Sequence, residues 1–357
     1  MPRLFDPLQL RSLKLRNRIA MSPMCQYSST DGFADNWHLV HLGSRAVGGA
    51  SLIITEAAAV NPEGRISYAD LGIWKDEHIP KLKEITGFIK SQGAVAGIQL
   101  AHAGRKASKS RPWEGNELLS PDHPQGWQAV APSEIPYDEG EPKPHELSKE
   151  EISQIISDFK SAAIRSLKAG FQTVELHGAH GYLIHSFLSP ITNKRSDEYG
   201  GSFENRIRFL LEIAREVRSV WPEELPLLVR LSCTDWVSEG ESWDIEQSVT
   251  VAKELKNLGV DMIDCSSGGL VPYQKIEGGA GYQTSFAEKI KKEAGIPTMA
   301  VGLITSSSQA DHIIRTGQAD MVALAREFLR NPYFPLHASI ETRQPFEWPD
   351  QYKRGKP

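Results

Sequence analysis

Residues 148–180 read SKEEISQIISDFKSAAIRSLKAGFQTVELHGAH, and the change of period within them sets the fold. Ile152, Ile155, Ile156, Phe159, Ala163 and Leu167 recur at helical spacing, which predicts a helix with one apolar stripe. Ser148, followed three residues later by Glu151, makes a capping box at its start, and Gly170 supplies its stop. TVELHGAH (173–180) then reads as a strand. The same alternation recurs at RIAMSPM (18–24), LIITEAAAV (52–60), AVAGIQLAHAG (94–104), PLLVRLS (226–232), DMIDCSSG (261–268), PTMAVG (297–302) and MVALAR (321–326). Strands separated by helices must run parallel, with crossover connections, and eight of them close most simply into an α/β fold: one (β/α)8 TIM barrel spanning 1–357. A doubly wound open sheet is the alternative.

Residues 105–147 break the repeat after the third strand. They are rich in Pro, Gly and charge, and a loop this long in a compact domain is usually functional, so a lid over the site is expected.

With 40% apolar and 24% charged residues and a net charge of −5, the chain has an ordinary globular composition and no basic footprint for nucleic acid or an anionic membrane. Its partner is expected to be a small molecule. The run SLIITEAAAV is too short, and interrupted by Glu56, to span a bilayer. The start MPRLFDPLQL has neither a basic n-region nor an apolar h-region, so a cytoplasmic location is expected. Cys25, Cys233 and Cys265 lack metal or iron–sulfur spacing and are expected to be reduced packing residues.

In a barrel, chemistry sits at the C-terminal ends of the strands. Cys25, Gln26 and Tyr27 follow the first strand; Glu56 and Ala57 end the second; Gln99, His102 and Arg105 end the third. His177 and His180 end the fourth, Arg230 lies in the fifth, Ser266 to Gly269 end the sixth, Gly302 the seventh and Arg326 the eighth. Three readings of the histidines are open. A metal pair needs a converging third ligand, and the spacing and strand-end context differ from helical zinc motifs. A structural role needs only satisfied polar atoms. As hydrogen-bond donors, the two rings must meet despite an odd spacing, which requires a bend that Gly178 and Gly181 permit. Two N–H groups aimed at one oxygen polarise a carbonyl, and Tyr182 would supply a proton nearby. The Gly-bearing turn AVGLIT and the turn ALAREFL after the last two strands, with Arg326, suit a phosphate. No G-x-G-x-x-G follows an early strand, so a mononucleotide phosphate fits better than a Rossmann-held dinucleotide.

Five stretches carry a resemblance: FDPLQLRSLKLRNRIAMSPMCQYSSTDG (5–32), QLAHAGRKAS (99–108), APSEIPY (131–137), AGFQTVELHGAHGYLIHSFLSPITNKRSDEYGGSFENRIRFLLE (169–212) and ADMVALAREFLRNP (319–332). In this order they resemble the Old Yellow Enzyme family of FMN-dependent ene-reductases, in its thermophilic-like, xenobiotic reductase branch. The resemblance implies a TIM barrel with non-covalent FMN at the strand C-termini and NADPH, or NADH, as reductant. It implies that His177 and His180 bind the oxygen of an α,β-unsaturated carbonyl or nitro compound. The hydride of flavin N5 then reaches the β-carbon and Tyr182 protonates the α-carbon.

By the same resemblance Arg230 faces the flavin N1–C2 oxygen edge, Gln99 meets the pyrimidine edge, and Pro23, Met24 and Ala57 pack against the ring. Gly302, Ala325 and Arg326 hold the phosphate. Cys25 tunes the flavin, and Tyr27 reaches the substrate from the opposite side. Arg354, in the segment EWPDQYKRGKP, enters a neighbouring subunit's site, with Trp348 in the shared wall, so residues 341–357 contact a second copy in a homodimer or larger oligomer. Lys106 and Lys109, at the start of the lid, are expected to be solvated, with contact to a nicotinamide cofactor's phosphates as the alternative. His185 is expected outside the site. A zinc hydrolase and a non-catalytic binding module are the competing functional classes.

Overall fold

A computed structural model describes residues 1–357. A hairpin of β1 (Leu8–Leu10) and β2 (Leu13–Leu15) precedes the barrel. The barrel strands are β3 (Ile19–Met21), β4 (Leu52–Ala59), β5 (Val95–Ala101), β8 (Thr173–Gly178), β9 (Leu227–Ser232), β10 (Met262–Ser266), β11 (Thr298–Ala300) and β12 (Met321–Leu324). They are parallel throughout and β12 pairs with β3, so the sheet closes on itself. Each strand lies within one of the eight predicted runs, and the open-sheet alternative is excluded.

The helices are α1 (Asn36–Val47), α2 (Ile79–Ser91), α3 (Lys149–Lys168), α4 (Leu183–Leu188), α5 (Phe203–Val220), α6 (Ile245–Asn257), α7 (Thr284–Ala294), α8 (Ser307–Arg315), α9 (Arg326–Arg330) and α10 (Phe334–Glu341). None is long and apolar enough to cross a membrane.

Side-chain alternation explains why the strands read as unbroken apolar runs. On β9, Leu227, Val229 and Leu231 join the outer core beneath the helices, while Leu228 joins an inner core along the barrel axis. That inner core includes Ala20, Leu52, Val95, Met262, Met299 and Met321 near the starts of their strands, and it is stopped by Leu10 and Leu15 of the hairpin. The closed end is apolar. Apart from the buried Thr173 and Thr298 at the starts of β8 and β11, polar residues appear further up the same strands, which leaves the C-terminal mouth for chemistry.

Helix α3 forms as its sequence requires. Ser148 Oγ accepts from the Glu151 N–H, and Glu151 Oε2 accepts from the Ser148 N–H at 2.7 Å. Its stripe differs in one place: Leu167 is 37% exposed, while Ser166 turns inward and returns its hydroxyl to Ala162 O at 2.7 Å. The buried serine satisfies its own donor within the helix, so the outer core accepts it.

Residues 105–147 are tied down at both ends. Arg105 is buried and donates to Ile135 O and Pro136 O, and β6 (Val130–Ala131) pairs with β7 (His145–Glu146) just before α3. Lys109 is 9% exposed and lies 3.5 Å from Glu141, so the expectation that it is solvated is corrected. The C-terminal segment runs over α10, where Trp348 lines a hollow with Tyr333, Leu336 and Tyr352. Cys233 and Cys265 pack in the outer core as free thiols.

The capping box of α3 is testable by itself. Ser148→Ala should lower the unfolding free energy by about 1 kcal/mol in urea titration with an unchanged slope. An unaltered midpoint would show that the box contributes nothing.

Candidate functional site

The site is built on a turn. Period-two alternation along β8 turns Glu175 and His177 toward the barrel axis. The Ala179 N–H donates to His177 Nδ1 at 3.3 Å, which leaves the ring proton on Nε2 as a donor. The backbone then enters the left-handed region at two consecutive residues, His180 (φ 60°) and Gly181 (φ 75°). The reversal therefore lies at His180–Gly181, so of the two glycines expected to permit the bend Gly181 takes part and Gly178 does not. Gly178 provides room instead, because a Cβ there would sit 2.9 Å from Arg230 O.

A non-glycine residue at positive φ is strained by about 1 kcal/mol or more unless its surroundings hold it. They do. The His180 N–H donates to Ser232 Oγ at 2.9 Å, and the Gly181 N–H donates to His185 Nδ1 at 2.9 Å. His185 Nε2 faces Asp235 Oδ1 at 2.9 Å with both side chains fully buried, and Asp235 Oδ2 accepts from Ser189 and Trp243. His185 stands outside the site, as expected, and its work is to brace the turn. Lys106 Nζ donates to both His180 O and Gly269 O at 3.0 Å, and any Cβ on Gly269 would collide with His180.

Lys106 is therefore not the solvated loop residue that its position suggested. Its ammonium also stands 4.6 Å from the Tyr137 ring centre and 5.2 Å from that of Tyr182. Burial, with Lys109 and Arg105 nearby, pushes its pKa down to about 8.

The turn brings three rings together. His177 and His180 meet edge to face at 5.1 Å, and His177 meets Tyr182 at 5.0 Å. Burial, reinforced by Arg230, holds both imidazoles well below their ordinary pKa, so they are neutral donors at neutral pH. Burial also pushes the Tyr182 phenol well above its ordinary value, so it keeps its proton. His180 Nε2 is 2.7 Å from Ser266 Oγ, a partner that the sequence placed only at a strand end. No group of three or more His, Cys, Asp or Glu side chains in the chain is arranged to hold a metal ion.

Cys25 and Tyr182 pack against one small apolar cluster of Ile66, Ala103 and Ala107. Burial, then the charges of Asp70 and Glu56, push the Cys25 thiol well up, so it is protonated. Tyr27 has φ 51° and turns its ring edge to Trp113 at 5.9 Å, beside the 105–147 segment. Glu56, buried, accepts from the Gln26 N–H at 3.0 Å and faces His38 Nε2 at 3.1 Å, which fastens this loop to α1.

One level below the rings, Ala57 and Gln99 are register partners beyond an irregularity in the β4–β5 ladder. Gln99 Nε2 donates to Glu175 Oε1 at 2.8 Å, and Arg230 Nη1 donates to Ser22 Oγ at 3.0 Å. Pro23 and Met24 follow β3, half-buried. Gly302 (φ 119°), Ala325 and Arg326 share a hollow of about 230 Å³ with Gln283. A Cβ on Gly302 would intrude there, 2.8 Å from Gln283 Nε2. A second cavity, of about 620 Å³, opens outward between Tyr137 and Tyr273. Neither cavity is lined by Trp348 or Arg354; the latter is exposed on the 3-10 turn Asp350–Gly355.

A family model described as the NADH:flavin oxidoreductase / NADH oxidase family matches residues 3–344. The chain belongs to that family. An NADPH dehydrogenase of Geobacillus thermodenitrificans is 49% identical over 354 residues, 99% of this chain and 98% of that protein. The old yellow enzyme homologue of Zymomonas mobilis superposes with a TM-score of 0.77 at 28% identity, covering 99% of this chain and 98% of its own. A 2-naphthoyl-CoA reductase, in complex with 2-naphthoyl-CoA, gives 0.84 at 25% identity over 96% of this chain, which spans 52% of that longer protein. The resemblance read from the motifs is borne out at the level of the family: this is a flavin-dependent oxidoreductase of the Old Yellow Enzyme type.

Lys106 gives a prediction with a fixed sign. Its folded pKa lies near 8 against an ordinary value of 10.5, so between those pH values the unfolded chain binds more protons and stability rises with pH. The urea midpoint of the native protein should therefore gain on that of Lys106→Met as pH rises through this window. A constant difference, or a reversed one, would contradict the buried ammonium.

Proposed function

We propose that this protein is an FMN-dependent NADPH dehydrogenase that reduces the activated C=C bond of α,β-unsaturated carbonyl or nitro compounds, with NADH as a second possible reductant. The observation that carries this reading is the ring cluster: two neutral imidazoles and a protonated phenol, converging through one left-handed turn. FMN fits the residues beside it, because Gly302, Ala325 and Arg326 border a hollow that a Cβ on Gly302 would invade. Arg230 and Gln99 would hold the isoalloxazine, with Pro23, Met24, Cys25 and Ala57 as its packing. When bound, FMN supplies the hydride chemistry, receiving from the nicotinamide and giving to the substrate.

The chain's own residues do the rest. His177 offers Nε2–H to the substrate oxygen, and His180 offers the ring proton now set against Ser266. Neutral donors suit this task, since they polarise the oxygen without delivering a proton to it. The α-carbon proton comes from Tyr182, positioned by the His177 ring and kept protonated by burial. Tyr27 would contact the substrate from the other side. The protonated state of Cys25 lets a thiol stand beside an electrophilic alkene, because the thiolate is the reactive species.

We assign residues 105–147 as the lid of a single domain and residues 341–357 as the contact with a second copy, Arg354 and Trp348 completing the neighbour's site. An exposed guanidinium and a half-buried indole in the same C-terminal segment support that assignment. Three free thiols suit a reducing, cytoplasmic setting.

A visible spectrum of the purified protein, followed by anaerobic NADPH titration, tests the reading: yellow colour should bleach and return with an enone. No flavin bands after added FMN would overturn it. His177→Ala combined with His180→Ala should spare FMN while weakening p-hydroxybenzaldehyde binding by about a hundredfold, the loss of two hydrogen bonds to an oxyanion. Loss of FMN with the phenol still bound would reverse the assigned roles.

The neutral imidazoles add a pH signature. Because both are held well below 6.5, affinity for that phenol should follow only the phenol's own ionisation, with no step near pH 6.5. A step there that vanishes in the double variant would show that the rings titrate in that range.

A further inference from the structure

Below the rings, the barrel axis holds two carboxylates that the proposed chemistry does not use. Glu175 on β8 and Asp264 on β10 are 0% exposed, and Arg230, on the strand between them, is 5% exposed. Arg230 and Asp264 are register partners, as are Gln99 and Glu175. Arg230 Nε lies 3.4 Å from Asp264 Oδ2, and Gln99 serves Glu175 Oε1. Glu175 Oε2 and both Asp264 oxygens are left without a hydrogen-bond donor.

Two ionised carboxylates against one guanidinium would bury a net negative charge and leave three oxygens bare, an arrangement that a dry interior penalises heavily. A single proton between the carboxylates removes both difficulties. Glu175 Oε2 becomes a donor, an Asp264 oxygen accepts, and the one remaining negative charge stands opposite Arg230. The shifts agree in direction. Burial and then Asp264 push Glu175 up to about 8, and burial raises Asp264 against the pull of Arg230. The remaining titratable neighbours are His177, one inward step along β8, and His180, both held neutral by burial, and Cys265, whose thiol burial keeps protonated.

We propose that Glu175 and Asp264 share one proton, and that this proton sets how much positive charge Arg230 presents to a flavin bound above it. Both are positioning residues, acting through Arg230 and Gln99, and the inference rests on the proposed FMN site. With the proton in place the layer is neutral. Once the proton leaves, the layer is negative and the flavin becomes harder to reduce.

Two measurements test this. Infrared spectra of the flavin-free protein at neutral pH should contain a C=O band of a buried protonated carboxyl that is lost in Glu175→Gln, any band from the buried Asp70 being common to both. In the FMN-loaded protein, Glu175→Gln should leave the midpoint potential unchanged well below pH 8 and abolish an extra downward bend near that pH. The double variant Glu175→Gln/Asp264→Asn leaves Arg230 uncompensated, so its potential should rise, and flavin–sulfite affinity with it by about tenfold or more, the equivalent of one pKa unit of interaction. A spectrum in which Glu175→Gln removes no carboxyl band, or a wild-type potential with no such bend, would overturn the proposal. If the double variant fails to fold, the isosteric single variant still decides. A protein that takes no FMN would sink the functional proposal alone, since the infrared test needs no flavin.

Discussion

Everything at the open end of this barrel depends on the left-handed turn at His180 and Gly181. A strand alternates its side chains, so residues three apart face opposite ways, and two imidazoles at that spacing meet only if the chain reverses between them. The reversal is costly at His180, and four separate groups hold it: Ser232, His185 backed by Asp235, Lys106, and the side-chain-free Gly269. Strain held this way gives rigidity, and in the proposed reaction that rigidity would keep two donors aimed at one point before any substrate arrives.

The barrel grades from dry to polar along its axis. Apolar residues at the strand starts, stopped by Leu10 and Leu15, exclude water from the closed end. Next comes the layer of Gln99, Glu175, Arg230 and Asp264, where every charge is short of solvent and must be balanced within the protein. The rings follow, at the mouth. Each level conditions the one above it, since Arg230 both opposes Asp264 and helps keep the two imidazoles neutral.

Much of this was legible in the sequence because it is local or periodic. Strand and helix periods, the Ser148–Glu151 box and the placement of polar residues at strand ends all follow from spacing along the chain. The need for a bend before His180 also followed, from parity alone. What escaped depends on partners distant in sequence. Of the two glycines expected to permit the bend, Gly181 enters the left-handed region but Gly178 does not, and the surroundings force His180 itself there. Lys106 and Lys109 looked solvated because nothing nearby along the chain reveals the His180 and Gly269 carbonyls or Glu141. Ser266 and Asp264 were two residues in a strand run, and only the closed sheet sets them against His180 and Arg230. Leu167 kept helical spacing yet faces outward, since the stripe ends where Ser166 meets the outer core.

The most direct measurement is isotopic. Turnover of a cyclic enone with NADPH carrying deuterium at the transferable position should place that label on the β-carbon alone, while turnover in D2O places solvent deuterium on the α-carbon. Tyr182→Phe should slow that second delivery without altering flavin reduction by NADPH. Solvent deuterium on the β-carbon, or a Tyr182→Phe enzyme that reduces the enone as fast as the native one, would contradict the carbonyl clamp with its attached acid.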